Sequence, residues 1–323
     1  MNRRQLLTVL SATGWVPTPR RARADAYPSR PVTLLVGGAA GSPPDAMARP
    51  VAQRLGEALG KAVVVENKAG AAGSLAITAL LNSAPDGHTL ALATMSQPVF
   101  NKYLFAKLAY DPIRDLEPVA PLVTGAMALA AHPAFGARSL ADLVELAKRQ
   151  PRQLFMAIPQ AGSPPHIVAL LLERATGIDV TLVPHKSAAD ATNAEIAGEI
   201  PLLFDAPTAI APLVQAGRLR ALAVTGGQRE PLLPDTLTAR ESGLDLVGEA
   251  WIGLVAPRHT PADIIQRLNR ELTLIMSTTE MAGAMAKLSF RPMSSAPEDF
   301  AALIRREHEK WGAVIRAANL RLE

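Results

Sequence analysis

Two short stretches of the sequence combine residue types that could bind a small anion. Residues 40–45 read AGSPPD and residues 161–166 read AGSPPH, and each copy lies where an apolar run gives way to a segment of helical spacing. A turn from a strand into a helix points free backbone N–H groups and the positive helix end outward, which suits an anion. Two such turns facing each other across a cleft could hold the two ends of a dicarboxylate.

The plainer alternative is that each stretch is only a rigid helix start, because proline is common at the first helical position. The repetition at matching places in both halves favours the anion site. The prolines limit it, however, since Pro43–Pro44 and Pro164–Pro165 lack N–H groups and remove two donors from each turn. The donors expected to remain are those of Gly41, Ser42, Gly162, Ser163 and the residues from Asp45 and His166 onward.

The last residue of each stretch carries the chemistry that differs between them. Asp45 could accept a hydrogen bond from a ligand amine, or it could simply place negative charge on the first helical turn. His166 could donate to a carboxylate, with a charge that depends on pH near neutrality, or it could be a structural, capped histidine.

Other candidates follow the rule that ligands lie outside the carboxyl ends of parallel strands. Ala72 lies in a glycine-rich loop before a helix, where it could offer an amide or belong to a plain turn. Ser187 is placed to touch a ligand or to cap a helix, and Asp205 to contact a ligand or to be an N-cap. The remaining candidates, which follow the apolar run HTLALAT, are Thr94, Ser96 and Gln97.

The elements that must position these residues alternate between strands and helices. PVTLLVGG (31–38) is a short apolar run rich in β-formers, and ARPVAQRLGEALG (48–60) has helical spacing with a glycine stop. The same alternation recurs in the second half, which predicts an α/β fold made of parallel βαβ units. The absence of a low-complexity linker suggests two domains joined by crossing strands, with 119–133 and 247–257 as candidates.

Composition is that of a globular protein of two domains, with 323 residues, 49% apolar and 19% charged. Residues 1–26 have an arginine pair, a short apolar stretch and two A-x-A sites, which is typical of a cleavable export signal of the Sec or twin-arginine type. They hold five arginines and one aspartate, so their removal takes the formal charge from +4 to zero. Without these arginines, the remaining sequence has no basic patch that would indicate nucleic-acid binding.

Enzymatic interpretations find little support in the sequence. There is no cysteine, no G-x-S-x-G elbow and no G-x-G-x-x-G after the first strand. The six histidines show no H-x-H or H-E-x-x-H spacing, so no metal site is expected. No other cofactor is predicted either. A hydrolase that uses Ser163 and His166 is the remaining enzymatic alternative, and it would react with a serine-directed probe.

Nine blocks in order, among them VVVENKAGAAGS, LAYDPIRDLEPVA, VPHKSAAD and WIGLVAPRHTPADIIQRLN, resemble the Bug-type periplasmic solute-binding receptors of tripartite tricarboxylate transporters. The resemblance runs roughly from Tyr27 to Trp311. It implies a two-domain Venus-flytrap fold, each domain a mostly parallel sheet flanked by helices, joined by two crossing strands. It also implies capture of a small carboxylate in the cleft, without catalysis.

With the predicted signal peptide at 1–26, we expect one domain from 27–127 plus 248–323, and a second from 128–247. The family places ligand contacts near Thr94, Ser96 and Gln97, and it makes Asp205 a ligand or closure contact. The expected partners are a small organic acid and membrane transporter subunits, with a monomeric, periplasmic receptor. The alternative is a sensor whose ligand-bound form docks on a membrane signalling kinase.

Overall fold

The computed structural model describes residues 27–322, and the predicted export signal at 1–26 lies outside them. The strands of the described part are β1 (Val32–Val36), β2 (Val63–Asn67), β3 (Thr89–Thr94), β4 (Leu116–Ala126), β5 (Ala128–Ala131), β6 (Phe155–Ile158), β7 (Thr181–Pro184), β8 (Leu202–Asp205), β9 (Arg220–Val224), β10 (Glu249–Pro257) and β11 (Arg291–Pro292). Its helices are α1 (Pro43–Leu59), α2 (Ser74–Leu81), α3 (Asn101–Leu104), α4 (Leu140–Arg149), α5 (Pro164–Thr176), α6 (Ala188–Ile196), α7 (Pro207–Gln215), α8 (Ala262–Met276), α9 (Thr279–Ala286) and α10 (Pro297–Ala317).

The strands form two sheets, as the α/β alternation predicted. The first has the order β11-β4-β10-β3-β1-β2 and the second β7-β6-β8-β5-β9. The strands β2, β1 and β3 are parallel neighbours, and so are β7, β6 and β8. In each sheet the predicted anion turn follows the middle strand of such a trio, β1 or β6, so the loops after the two neighbouring strands flank it.

Two chain segments cross between the sheets, within or beside the predicted ranges. The first runs from β4 through Met127 into β5, and the second enters β10 from Gly248. Ala128 pairs with Asp205 at the carboxyl end of β8, and Ile252 pairs with Thr94 at the carboxyl end of β3. Each crossing therefore leaves and enters at the carboxyl edges of the parallel trios, and this topology sets the two carboxyl edges opposite each other.

A single buried hydroxyl joins the two crossings. The Oγ1 of Thr225 accepts from the N–H of Met127 at 2.9 Å and donates to the carbonyl of Gly248 at 2.6 Å. The backbone N–H of Thr225 donates to Met127 at 2.9 Å, and its carbonyl accepts from Gly248 at 2.9 Å. The two segments are thus held together at the point where they pass from one sheet to the other.

Helices cover both faces of each sheet. In β1 the alternation of the strand sends Leu34 toward α1 and α8 and Leu35 toward α2. In the second sheet β5 does the same with Leu129 and Ala130. Within residues 27–322, no helix is long and apolar enough to cross a membrane.

One carboxyl group in the core of the second sheet lacks any compensating contact. Glu195, near the end of α6, is 0% exposed, and neither of its carboxylate oxygens has a hydrogen-bond partner. Burial raises the pKa of Glu195 to about 8, because the charged form loses its hydration. The folded protein therefore prefers this side chain protonated, whereas the unfolded chain ionises it at a lower pH.

We expect Glu195→Met to stabilise the protein in a pH-dependent way. Below the unfolded pKa of Glu195 both states are protonated, so its raised pKa costs no stability. The free energy of unfolding then falls as the pH rises through about 8, because only the unfolded chain ionises this group freely. The variant should gain roughly 2–4 kcal/mol over the wild type at pH 8 and much less at pH 4.5. Urea denaturation at both pH values measures the difference, and the exposed Glu199→Met is the matched control. An equal gain at both pH values would contradict this explanation.

Candidate functional site

The two predicted turns have nearly the same backbone. Gly41 and Gly162 adopt left-handed conformations with φ of 81° and 73°. The N-cap residues that follow have φ and ψ of −69° and 159° at Ser42 and −70° and 161° at Ser163. In both turns the two prolines are the first helical residues, so the sequence repeat is a structural repeat.

Each turn is closed by the side chain four residues after its glycine. The N–H of Gly41 donates to Oδ2 of Asp45 at 2.8 Å, and the N–H of Gly162 donates to Nδ1 of His166 at 3.0 Å. Asp45 is 2% exposed and His166 5% exposed. Both side chains therefore act as internal acceptors, which matches the structural alternatives for these residues.

This bonding corrects the expected inventory of free donors. The Gly41 and Gly162 amides are occupied, and the N–H of Ser42 and of Ser163 donate to the carbonyls of Ala39 and Gln160 at 3.1 Å. These four amides are thus not free for a ligand in this conformation, and their role as ligand contacts stays a prediction.

The two serine hydroxyls differ. Ser42 Oγ donates to the carbonyl of Ala39 at 2.6 Å, whereas Ser163 Oγ is buried without a hydrogen-bond partner. A buried hydroxyl that makes no hydrogen bond costs free energy. Ser163 is therefore the hydroxyl of the pair that a ligand or a water molecule would satisfy.

The closing side chains also differ in charge. The N–H of Gly41, followed by hydrogen bonds from Arg49 and Asn67, holds the pKa of Asp45 below its usual range despite burial. Arg49 pairs with this carboxylate at 2.9 Å. Burial lowers the pKa of His166 to about 4, so the expectation of a charge change near neutral pH is wrong. Because Nδ1 accepts a hydrogen bond, the neutral imidazole carries its proton on Nε2 and can donate there.

Three loops pack together at the carboxyl edge of the first sheet. A Cβ added to Gly37 would lie 2.8 Å from the Cα of Gly73, and one added to Gly73 would overlap the side chain of Gln97. Between them, Ala71 and Ala72 adopt left-handed backbone with φ of 46° and 49°. Left-handed alanine is strained, and such strain persists only where surrounding contacts hold it.

Two amide side chains supply those contacts. The carbonyl of Ala72 accepts from Nε2 of Gln97 at 2.8 Å and from Nδ2 of Asn101 at 3.2 Å. Oε1 of Gln97 in turn accepts from the N–H of Thr94 at 2.8 Å and from its hydroxyl at 3.1 Å. Gln97 therefore ties the loop after β2 to the end of β3, while Ser96 beside it is buried.

At the carboxyl edge of the second sheet, Ser187 and Asp205 flank the turn after β6. Ser187 Oγ accepts from the N–H of Asp190 at 3.1 Å, so it is the helix cap that the alternative interpretation described. Asp205 is not the N-cap of α7, which is Ala206. Its Oδ1 accepts from the N–H of Ala206 at 2.7 Å, its Oδ2 is buried without a partner, and burial raises its pKa to about 6.

Two asparagines at the first edge were not predicted from the sequence. Asn67 donates to the carbonyl of Gly38 at 2.9 Å and to Asp45 at 3.0 Å, which fixes the first turn against the end of β2. Asn101 is 0% exposed and holds Ala72. Asn67 could have been found by its position at the end of a strand, but nothing in the local sequence marks Asn101.

A cavity of about 450 Å³ lies away from these loops, along β9 in the second sheet. Its lining includes Arg138, Arg220 and Asp235 but none of the predicted site residues. Geometry at the carboxyl edges, rather than cavity size, therefore identifies the candidate site.

A family model and a curated relative both place the chain in one receptor family. The family described as "Tripartite tricarboxylate transporter family receptor" matches residues 47–320. Protein BugT of Bordetella pertussis is 30% identical, over 100% of both chains.

Two solved structures share the fold and part of the sequence. Rpa4515 of R. palustris, described with adipate, has a TM-score of 0.82 and 30% identity, covering 92% of this chain and 100% of that one. MatC (Rpa3494) of Rhodopseudomonas palustris, with bound malate, has a TM-score of 0.77 and 32% identity, covering 90% and 100%. The fold is therefore the two-domain architecture of periplasmic binding proteins.

We expect Gln97→Ala to loosen the loop around Ala72. The change leaves the N–H of Thr94 without its partner and removes one of the two donors to Ala72, which should cost ~1–3 kcal/mol. Urea denaturation measures the loss, and amide hydrogen exchange should accelerate at residues 70–74. Gln53→Ala, at an exposed position on α1, is the control and should change neither quantity; equal behaviour of the two variants would contradict the assigned role.

Proposed function

This chain belongs to the tripartite tricarboxylate transporter receptor family, and from that premise we propose that it captures a small organic carboxylate between its two sheets. The observation that carries the proposal is the pair of matching turns on carboxyl edges that the crossing strands set opposite each other. Two walls of similar shape suit a ligand with an oxygen-rich group at each end. Closure of the walls about the crossing segments would then bury it.

The relatives support an acid with two carboxylates. Adipate is named with Rpa4515 and malate with MatC, and both compounds are dicarboxylates. The chemistry of the turns agrees, since a hydroxyl and a neutral imidazole N–H can donate to carboxylate oxygens without a buried positive charge. We therefore propose a dicarboxylate as the ligand class.

The second turn supplies the two hydrogen-bond donors whose assignment to the ligand has the most structural support. Ser163 Oγ is a buried hydroxyl without a partner, and Nε2–H of His166 is free to donate once Nδ1 accepts from Gly162. We propose that both contact one carboxylate of the ligand. Asp205 would also contact the ligand, but as an acceptor rather than a donor. Its unpartnered Oδ2 could accept a hydrogen bond from a ligand hydroxyl or amine.

At the first turn the negative charge of Asp45 would repel a carboxylate if it were not balanced. Arg49 balances that charge and Asn67 adds a hydrogen bond to the carboxylate, so Asp45 is assigned to holding the turn in shape. The amide of Ala72 in its strained loop is the contact we favour on this wall. The other residues proposed to surround the ligand are Gly41, Ser42, Ser96, Gln97, Gly162 and Ser187.

We further propose that the protein is a monomeric periplasmic receptor that delivers its ligand to membrane transporter subunits and catalyses no reaction. Membership in a transporter receptor family supports the partner and the compartment. We assign residues 27–127 with 248–323 to one domain and 128–247 to the other, since the two sheets divide in the same way.

Binding can be tested with His166→Asn, which keeps an acceptor near the position of Nδ1 but removes the Nε2–H donor. Wild-type protein at 100 times Kd of adipate or malate should gain about 2.7 kcal/mol of stability, seen as a rise in Tm. The variant should lose roughly tenfold or more in affinity by calorimetry, because the ligand oxygen loses a donor. Its ligand-free Tm should stay near that of the wild type.

Gln153→Ala, at an exposed position just before β6 and away from the turn, is the control for this substitution. Absence of a shift with mono-, di- and tricarboxylates alike would rule out the carboxylate function. Normal dicarboxylate affinity in His166→Asn would remove His166 from the site while leaving the function in place.

Export can be tested at residues 1–26. We expect the periplasmic protein to begin at Tyr27, as N-terminal sequencing would reveal. Arg3→Lys with Arg4→Lys should abolish export by the twin-arginine route and leave export by Sec intact. Recovery of unprocessed protein from the periplasm would contradict the proposed signal peptide.

A further inference from the structure

The two turns share a backbone but not their surroundings. A Cβ built on Gly41 meets no atom within 4 Å, and Gly41 is exposed. A Cβ built on Gly162 would lie 2.8 Å from Cδ1 of Leu104 and 2.8 Å from Cδ1 of Leu322. The second turn therefore rests on two leucine side chains, whereas the first turn is open at the same position.

These leucines come from distant parts of the chain. Leu104 ends α3 in the first half, and Leu322 follows α10 near the end of the sequence. The N–H of Leu322 donates to the carbonyl of Leu104 at 2.8 Å, and Phe105 and Leu322 form a parallel bridge. Arg321 adds a hydrogen bond from its guanidinium to the carbonyl of Tyr103 at 2.9 Å. Residues 321–322 are thus fixed to the end of α3 and lie directly behind the turn.

We propose that Leu322, seated on Leu104, is a positioning residue for ligand capture: it supports the 160–166 turn from behind and holds it in its binding shape. This inference rests on the proposed function, since it concerns the wall that Ser163 and His166 form. Leu322 does not touch the ligand; it acts through Gly162.

The physical reason lies in the left-handed glycine. Gly162 can donate to Nδ1 of His166 only while its φ stays near 73°, and that bond places the imidazole proton on Nε2. Glycine visits many backbone conformations, so an unsupported turn would lose this one readily. The contact with Leu104 and Leu322 removes the space into which the turn could relax.

The support also connects the two walls. Leu104 lies three residues after Asn101, whose side chain holds the carbonyl of Ala72 on the first wall. Residues 101–104 thus contact the strained loop of the first wall at one end and the turn of the second wall at the other. A shift of α3 would move both walls together.

The experiment compares Leu322→Ala with Leu320→Ala, since Leu320 packs against the same core cluster but is not among the nearest neighbours of a Cβ built on Gly162. Nitrogen-detected NMR follows the imidazole of His166 in ligand-free protein as the pH is lowered, with His166→Asn for assignment. In wild type and Leu320→Ala we expect titration near pH 4, because the ring is buried. In Leu322→Ala we expect it to move toward about 6.5, the ordinary value of an exposed histidine.

Adipate affinity, measured by calorimetry, should fall at least tenfold in Leu322→Ala and less than twofold in Leu320→Ala. Gly162→Ala should also lose affinity more than Gly41→Ala, because both alanines carry the same backbone strain but only the former meets the leucines. If Leu322→Ala fails to fold, Leu322→Val gives the same comparison with one methylene removed. The order of effects, rather than their absolute size, then decides.

The proposal is overturned if Leu322→Ala and Leu320→Ala match in both His166 titration and adipate affinity. It is also overturned if the titration moves while the affinity does not, because the support would then serve only stability. A wild type that binds no carboxylate would count against the proposed function instead, since the His166 measurement needs no ligand and still reports whether Leu322 holds the turn.

Discussion

A glycine in left-handed backbone, whose N–H is accepted by the side chain four residues later, is the constraint on which each wall of the site depends. The prolines that follow the glycine have no N–H with which to hold the turn. The side chain four residues after the glycine holds it instead, by accepting the glycine N–H. At Gly41 the acceptor is a carboxylate, and at Gly162 it is an imidazole. One backbone shape is thus closed by two different chemistries.

The choice of acceptor decides what each wall can show to a ligand. The carboxylate of Asp45 occupies the donors of Arg49 and Asn67, which hydrogen-bond to it. The first wall therefore gains rigidity without gaining a new donor for a ligand. The imidazole of His166 accepts a hydrogen bond on Nδ1 and keeps a proton on Nε2. The second wall therefore gains both rigidity and an N–H donor. The asymmetry between Asp45 and His166 therefore separates a turn whose closing side chain only holds its shape from a turn whose closing side chain also keeps an N–H donor, which we propose for ligand recognition.

Much of this arrangement could be predicted from local sequence. The repeated AGSPP, the strand ends and the alternation of elements predicted the two turns, the α/β fold and the position of the crossing strands, because each is encoded within a few residues. The occupancy of the Gly41 amide could not be predicted, since a loop's hydrogen bonds depend on its exact φ. Asn101 and Leu322 were missed for another reason: each acts on a segment far away in sequence, and neither has an unusual neighbourhood of its own.

The relative placement of the walls depends on a hydrophobic core that both sheets share and on the contacts beside the two crossing segments. Thr225 joins the two crossing segments through its hydroxyl and its backbone, and the last described residues fasten α3 behind the second turn. The first connection fixes where the sheets meet, and the second fixes how one turn sits on its support. Neither Thr225 nor Leu322 is among the residues proposed to touch a ligand, so those residues can vary without disturbing the geometry that brings them together. This separation lets one frame carry different side chains in its turns, as Asp45 and His166 differ within this single chain.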